Sequence, residues 1–403
     1  MPSVDVVIVT WNGRDDTLRA VDAVFGQTVP PRISKLTVTV VDNGSTDGTL
    51  EELAARFPQT RTLKLWRNRG FTGGVRLGVT TSDADYVVLL NNDAIPEPEW
   101  LREIVEAIDM APPDVLAVGG EIVDSTGTLV DFARGAMTFD GHAFQIGVRK
   151  KRDEVDVPPP GSEILFPCGG NMIARREAFL AAGGFDDDYF AYLEDVDFGW
   201  RSWIAGQRIL WEPRARVRHR SAATSDRLGS FERGVLFERN ALQTAIKNYE
   251  DGLMQKAAAS VFLTALHRMH RYTVDRNEAA RLRRPPLDEA PIERPPASGL
   301  VARALRKLGL RSGAAPTRLD DELTAMQFRA LEWFFRNEPK VMTKRAAVQA
   351  MRRRSDTEIL EKFPLLVVPT YPGDEELMSS ALFRELMRGM PHMRSSLDDI
   401  MKR

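Results

Sequence analysis

A single cysteine, Cys168, stands in 403 residues, so no intramolecular disulfide can form. The N-terminus runs straight into an apolar stretch without the basic segment, apolar core and cleavage site of a secretory leader. A reducing, cytoplasmic setting is therefore expected. Long apolar runs are also missing: the longest, around Ala257 to Leu266, falls well short of the roughly 20 residues a membrane span needs, so any membrane association is expected to be peripheral. Nor does charge of one sign dominate. Lys and Arg total 55 against 57 Asp and Glu, a net charge of -2, which gives no bulk attraction for nucleic acid. What remains is a soluble chain, longer than one core usually serves, for which a main domain and an appendage are expected.

Continuous apolar runs alternate with helical patterns in the first quarter. Val4 to Val9 gives way to Thr10-Trp11-Asn12-Gly13 and then to Leu18, Val21 and Val24 at helical spacing. Leu36 to Val41 ends at Asp42-Asn43-Gly44-Ser45-Thr46-Asp47-Gly48, and Tyr86 to Leu90 ends at Asn91-Asn92-Asp93. This predicts a mostly parallel α/β sheet buried on both faces, with the ligand site beyond the carboxyl ends of its strands. Glycines between Ile122 and Val148 suggest hairpins beside the sheet, and Pro158-Pro159-Pro160 reads as a loop. Farther on, Phe231 to Val274 is helical in character, 284–300 reads as a proline-rich linker, and 301–403 as an α-helical appendage. Within that appendage, helices are expected over Leu319 to Asn337, Lys340 to Phe363 and Glu375 to Arg388, with Leu365 to Pro372 as a loop.

Polar residues gather at the predicted strand ends. Asp42 can accept hydrogen bonds from a pyrimidine N–H or a ribose hydroxyl; capping and turning the chain is the plainer role for it and for Asp47. Asp93 offers a hard oxygen ligand suited to Mg2+ or Mn2+ bound mainly through substrate phosphates. In Ala215-Arg216-Val217-Arg218-His219, alternation puts His219 on the apolar face, either as a metal ligand or as a satisfied core residue. Glu194-Asp195-Val196-Asp197 opens a helix ended at Gly206. Carboxylates there gain from the helix dipole whatever their function, while a catalytic reading makes Asp195 a general base with Glu194 or Asp197 orienting it or meeting the acceptor. Cys168-Gly169-Gly170-Asn171 either lets a sugar approach the backbone or merely turns the chain. Asn68-Arg69-Gly70-Phe71-Thr72-Gly73-Gly74 looks like a glycine-rich phosphate loop without the spacing of a P-loop or dinucleotide fingerprint.

Taken in order over Val4 to Ser221, these segments together with Gly184-Phe185-Asp186 and Arg201 resemble glycosyltransferase family 2, in its rhamnosyltransferase-like and galactofuranosyltransferase-like branch. The resemblance implies a GT-A fold over residues 1–225, with a nucleotide-sugar half at about 1–95 and an acceptor half at about 96–225, followed by a helical extension over 226–283. It implies that Thr10, Asn12, Asp42, Asn68, Gly70, Arg76, Asn92 and Asp93 surround the donor, and that Gly170, Asn171, Glu194 and Asp197 meet the acceptor. Asp195 is the implied base, and Asp93 and His219 the implied holders of a divalent metal. Asn91 stands where many relatives have the first Asp of the metal motif, and Arg76 where they often have Asn. The transmembrane helices and Gln-x-x-Arg-Trp motif of processive members are missing, which favours single additions.

The implied activity is inverting, metal-dependent transfer from a nucleotide diphosphate sugar, with dTDP-rhamnose as the family-weighted donor, onto a hydroxyl of a glycan or lipid-linked glycan. Polysaccharide or glycolipid synthesis is the implied setting. Two alternatives stand beside it: a nucleotidyltransferase, which releases pyrophosphate, and a non-catalytic nucleotide-sugar or glycan-binding scaffold. The runs Leu300 to Leu308 and Arg352-Arg353-Arg354 are candidates for contact with an anionic membrane surface, with solvated helix faces or a homo-oligomer contact as the plainer readings.

Overall fold

A computed structural model describes residues 1–220, 229–269, 322–371 and 373–402. The proline-rich linker and the Leu300 to Leu308 run lie outside the described residues. The N-terminal part builds β1 (Ser3–Thr10), α1 (Arg14–Phe25), β2 (Lys35–Asp42), α2 (Thr49–Arg56), β3 (Arg61–Lys64), α3 (Gly70–Thr81) and β4 (Tyr86–Asn91). It continues through β5 (Ala94–Pro96), α4 (Trp100–Asp109), β6 (Val115–Asp124), β7 (Val130–Phe132), β8 (Gly135–Met137), β9 (Ala143–Gln145), β10 (Asn171–Arg175), α5 (Arg176–Ala181), α6 (Glu194–Ile204) and β11 (Arg208–His219).

Strands β3, β2, β1 and β4 pair in parallel, with Thr10 beside Asp42 and Val9 beside Asn91, so three polar strand ends reach one edge together. The next neighbour, β10, runs antiparallel to both β4 and β6, and β11 then pairs parallel with β6. The sheet is thus mixed, with β10 set antiparallel between the parallel group β3-β2-β1-β4 and the parallel pair β6-β11. The apolar runs are buried because helices cover both faces. On α4, for instance, Trp100, Leu101, Ile104, Val105 and Ile108 all lie in the core. The glycines of α3 serve packing: a Cβ at Gly74 would meet Val9 Cγ1 at 2.4 Å, and one at Gly78 would meet Val7 Cγ1 at 2.5 Å. The likeness of this segment to a phosphate loop therefore gives way to a close helix–strand contact.

Beyond the sheet come α7 (Ser230–Asn248), α8 (Asp251–Met269), α9 (Glu322–Ala350), α10 (Asp356–Lys362), β12 (Leu365–Val367), α11 (Asp374–Ser379), α12 (Ala381–Leu386), β13 (His392–Arg394) and α13 (Leu397–Lys402). The expected break before Lys340 is absent: α9 runs through Pro339. A proline costs a helix interior about 3 kcal/mol, and here tertiary contacts offset it. Lys340 and Lys344 pair with Asp188 and Asp186, and Arg345 donates to the Ile246 and Tyr249 carbonyls. The segment expected as a loop from Leu365 contains β12, whose residues pair with those of β13 27 positions farther on. The single helix expected over Glu375 to Arg388 is two short ones, divided where Ser380 caps Phe383.

Among the described residues, no helix is long and apolar enough to cross a membrane. Arg352 bonds the Asn248 carbonyl and pairs with Asp356, while Arg354 donates to the Gly206 and Gln207 carbonyls, which leaves little of that basic run for a membrane surface.

Candidate active site

The strand ends open into a cavity of about 610 Å³. One side is lined by Thr10, Trp11, Asn43, Asn68, Gly70, Asn91, Asn92 and Asp93, and the far side by Cys168, Gly169, Gly170, Glu194, Asp195 and a run of apolar residues. Among the described residues, His219 is the only basic side chain in the lining.

Asp42, at the end of β2, is wholly buried and is not among the residues that line the cavity. One carboxylate oxygen accepts the Ser45 N–H at 3.0 Å, and the other has no hydrogen-bond partner. An unsatisfied buried acceptor is costly, so this oxygen suits a donor N–H or O–H brought by a ligand. Asn12, with φ of 52°, joins the first two strand-end loops by receiving Thr46 N–H on its side chain and giving its own N–H to Ser45. Thr10, Thr17 and Asn92 bond one another beneath Gly13, where a Cβ would strike Asn92 at 2.4 Å. Asn68 receives the Gly70 N–H at 2.8 Å, and Gly70 itself has φ of 73° with the Phe190 carbonyl where a side chain would stand.

Like Asn12 and Asp42, three further sequence candidates do not line the cavity. Arg76 lies away from the cavity, ion-paired with Asp187 at 2.7 Å. Asn171 is fully buried, its amide donating to the Glu121 and Ala215 carbonyls and accepting from Trp100 Nε1, so it ties three elements of the scaffold. Asp197 is enclosed by Arg201 at 2.8 Å and Lys247 at 2.9 Å; burial opposes its charge, but the two cations hold it below the usual carboxylate range. An acceptor cannot reach either residue without dismantling these bonds. Gly170 does line the cavity, and it has no room for a side chain because a Cβ would meet Asn91 at 2.5 Å.

Asp195 occupies the first turn of α6, with its carboxylate bonded by the Gly169 N–H at 3.1 Å and the Val196 N–H at 2.8 Å. Burial nevertheless pushes it up to about 6, against the pull of those two bonds. Glu194, beside it, is driven well above the carboxylate range by burial and by the Asp195 charge. Burial thus opposes charge on both carboxyls, and a second negative charge at this helix start most of all. The backbone that presents them is unusual. Phe190, Tyr192 and Leu193 all have positive φ, at 64°, 71° and 63°, a conformation that costs a side-chain-bearing residue about 1–3 kcal/mol. Asn240 of α7 braces this loop, its amide reaching the Tyr189, Ala191 and Tyr192 carbonyls.

At the opposite lip, His219 Nε2 lies 2.9 Å from Asp93 Oδ1 and 3.3 Å from Asn91 Nδ2, while Nδ1 lies 2.7 Å from Asp131. Burial would lower the imidazole, but its bonds to Asp131 and Asp93 outweigh that and raise it to about 10. Among the described residues no group of three His, Cys, Asp or Glu gathers as a metal site. Asp93 Oδ1 and His219 Nε2, 2.9 Å apart, would hold one Mg2+ or Mn2+ once the imidazole gives up the proton it shares with Asp93. Asp131 then fixes the ring as an outer carboxylate. Sequence reasoning missed it, although a charged residue between apolar Val130 and Phe132 in a short strand was a usable signal.

This arrangement of a nucleotide-half parallel sheet, polar strand ends and an acidic helix start belongs with glycosyltransferases. Residues 5–181 match the model of Glycosyl transferase family 2. Over 215 residues, 48% of this chain and 69% of the relative, it is 30% identical to an N-acetylglucosaminyl-diphospho-decaprenol L-rhamnosyltransferase of Mycobacterium tuberculosis. The chain belongs to glycosyl transferase family 2, in a rhamnosyltransferase-like branch, which sets aside the nucleotidyltransferase and non-catalytic readings. It is also 28% identical over 228 residues, 54% of this chain and 17% of the relative, to the O-antigen biosynthesis protein RfbC of Myxococcus xanthus. The fold is that of GalNAc-T7, solved with UDP, GalNAc and Mn2+, with a TM-score of 0.52 at 15% identity over 91% of this chain and 58% of that one.

Proposed function

We propose that this glycosyltransferase adds one sugar per turn, with inversion at the anomeric carbon, and that Asp195 is the base. The observation that carries this reading is the carboxylate of Asp195: it lines the same cavity as Asp93 and His219 and is raised to about 6 by burial, close to the pH at which a base serves best. Asp195 takes the proton from the acceptor hydroxyl as that oxygen attacks the anomeric carbon. Glu194, whose ionisation is opposed by burial and by the Asp195 charge, lies beside the base in the same lining. The unpartnered Asp42 oxygen receives a hydrogen bond from the nucleoside, and Asn68 with Gly70 shapes the wall beside it. Asp93 and His219 would hold a divalent ion, which supplies charge neutralisation for the departing diphosphate.

The donor we favour is dTDP-rhamnose, supported by the L-rhamnosyltransferase relative, and the acceptor a glycan or lipid-linked glycan. The test is the anomeric configuration of the first product formed, read by NMR, together with turnover of Asp195→Asn at saturating donor. Retained configuration, or normal turnover in that variant, overturns the reading.

A further inference from the structure

The far side of the cavity joins a hairpin within the stretch that matches the family to helices that lie beyond it. Phe144 and Val148 come from the β9 hairpin region, Phe237 from α7, and Leu397, Ile400 and Met401 from the C-terminal helix α13. That helix is fixed in place: the Gly147 N–H donates to the Ile400 carbonyl at 3.1 Å, and Ile400 packs with Leu366 and Val368, with Phe144 and Ile146 laid against them. Sugar hydroxyls meeting such a wall would lose water without gaining partners. Among the described residues no lysine or arginine lines this half, so nothing there awaits an anion.

We propose that this wall is a subsite for an uncharged apolar group on the acceptor, an alkyl or aryl aglycone of the sugar that is attacked, and that α13 is its specificity-determining side. The proposal rests on the glycosyltransferase reading of the cavity and extends it. Leu397 faces the cavity while 41% exposed, so a polar side chain there changes the wall without burying an unsatisfied group.

The experiment is calorimetric titration of the full-length chain with methyl, phenyl and monomeric octyl β-D-glucoside, and in parallel with dTDP and UDP. At least one apolar glucoside should bind more than about tenfold tighter than the methyl compound, roughly the effect of two buried methylenes. Preference for octyl identifies a chain, and preference for phenyl an aromatic ring. Leu397→Gln should reduce the preference severalfold with nucleotide affinity and melting temperature as in the parent, and Phe144→Ser should reduce it with nucleotide affinity retained and a lower melting temperature, because Phe144 packs on the Ile400 cluster. Equal binding of the three glucosides, binding of none, or a preference that both substitutions leave intact overturns the proposal. Should the parent chain bind neither nucleotide, the donor-site reading fails, and the glucoside series still decides the apolar wall.

Discussion

The two walls of the cavity are made in opposite ways. The donor wall consists of strand ends from β1, β2 and β4, side by side in register and polar because each strand stops there. The acceptor wall is gathered from a hairpin, from α7 and from the last helix, and it is largely apolar. A wall of adjacent strand ends keeps its chemistry while the loops around it change. One assembled from distant segments can be refitted without disturbing the donor, which suits an enzyme class that varies what it glycosylates.

The sharpest way to test that division is at the acid helix start between the walls. Asp195→Asn should lower kcat by about 10²–10⁴-fold while calorimetry finds nucleotide affinity nearly unchanged; lost nucleotide binding would place Asp195 on the donor side. The same substitution should raise the melting temperature at pH 8. A carboxylate raised from 3.8 to about 6 holds its proton more tightly in the folded chain, so folding stability is full below pH 3.8 and declines as pH rises to about 6. Removing the charge recovers the loss, and a lower melting temperature at pH 8 would contradict the burial argument.

Next in size is Asp131→Asn, expected to weaken Mn2+ binding in the presence of nucleotide by about 10–100-fold, with Asp93→Ala at least as severe. Unchanged Mn2+ affinity in Asp131→Asn would show that His219 needs no orienting partner.

The pH profile should follow. Log kcat/KM should rise with unit slope up to about pH 6 as Asp195 ionises and then level off; a level profile from pH 5 to 7 would remove the base from that carboxylate. Smallest is Asn240→Ala, where loss of a buried amide's bonds costs about 1–3 kcal/mol of stability. Here kcat should fall while nucleotide affinity holds, and an unaltered kcat would mean that the loop keeps its shape without the brace.

The strand ends were legible because each is a short contiguous signal: an apolar run, then Asp42 or Asn91-Asn92-Asp93 at its end. Asn171 and Asp197 misled because a polar residue beside a glycine pair or in an acidic helix start looks the same whether it faces a ligand or the scaffold; only Trp100, Arg201 and Lys247, far away in sequence, decide between them. Arg76 was drawn off by Asp187, more than a hundred positions distant. The C-terminal region was read as helical and separate. Its two three-residue strands are too short to show alternation, and the closeness of Ile400 to Gly147 leaves no trace in either segment.

The loop that leads into Asp195 bears on inheritance. Phe190, Tyr192 and Leu193 hold their left-handed turns against a side chain on α7, beyond the last residue of the family match. A chimaera joining the first 220 residues of this chain to the tail of a relative would receive Asp195 with its address but without the mould that shapes its approach. Base loop and α7 must descend together, so the segment that exchange among relatives can move intact is longer than the one by which they recognise one another.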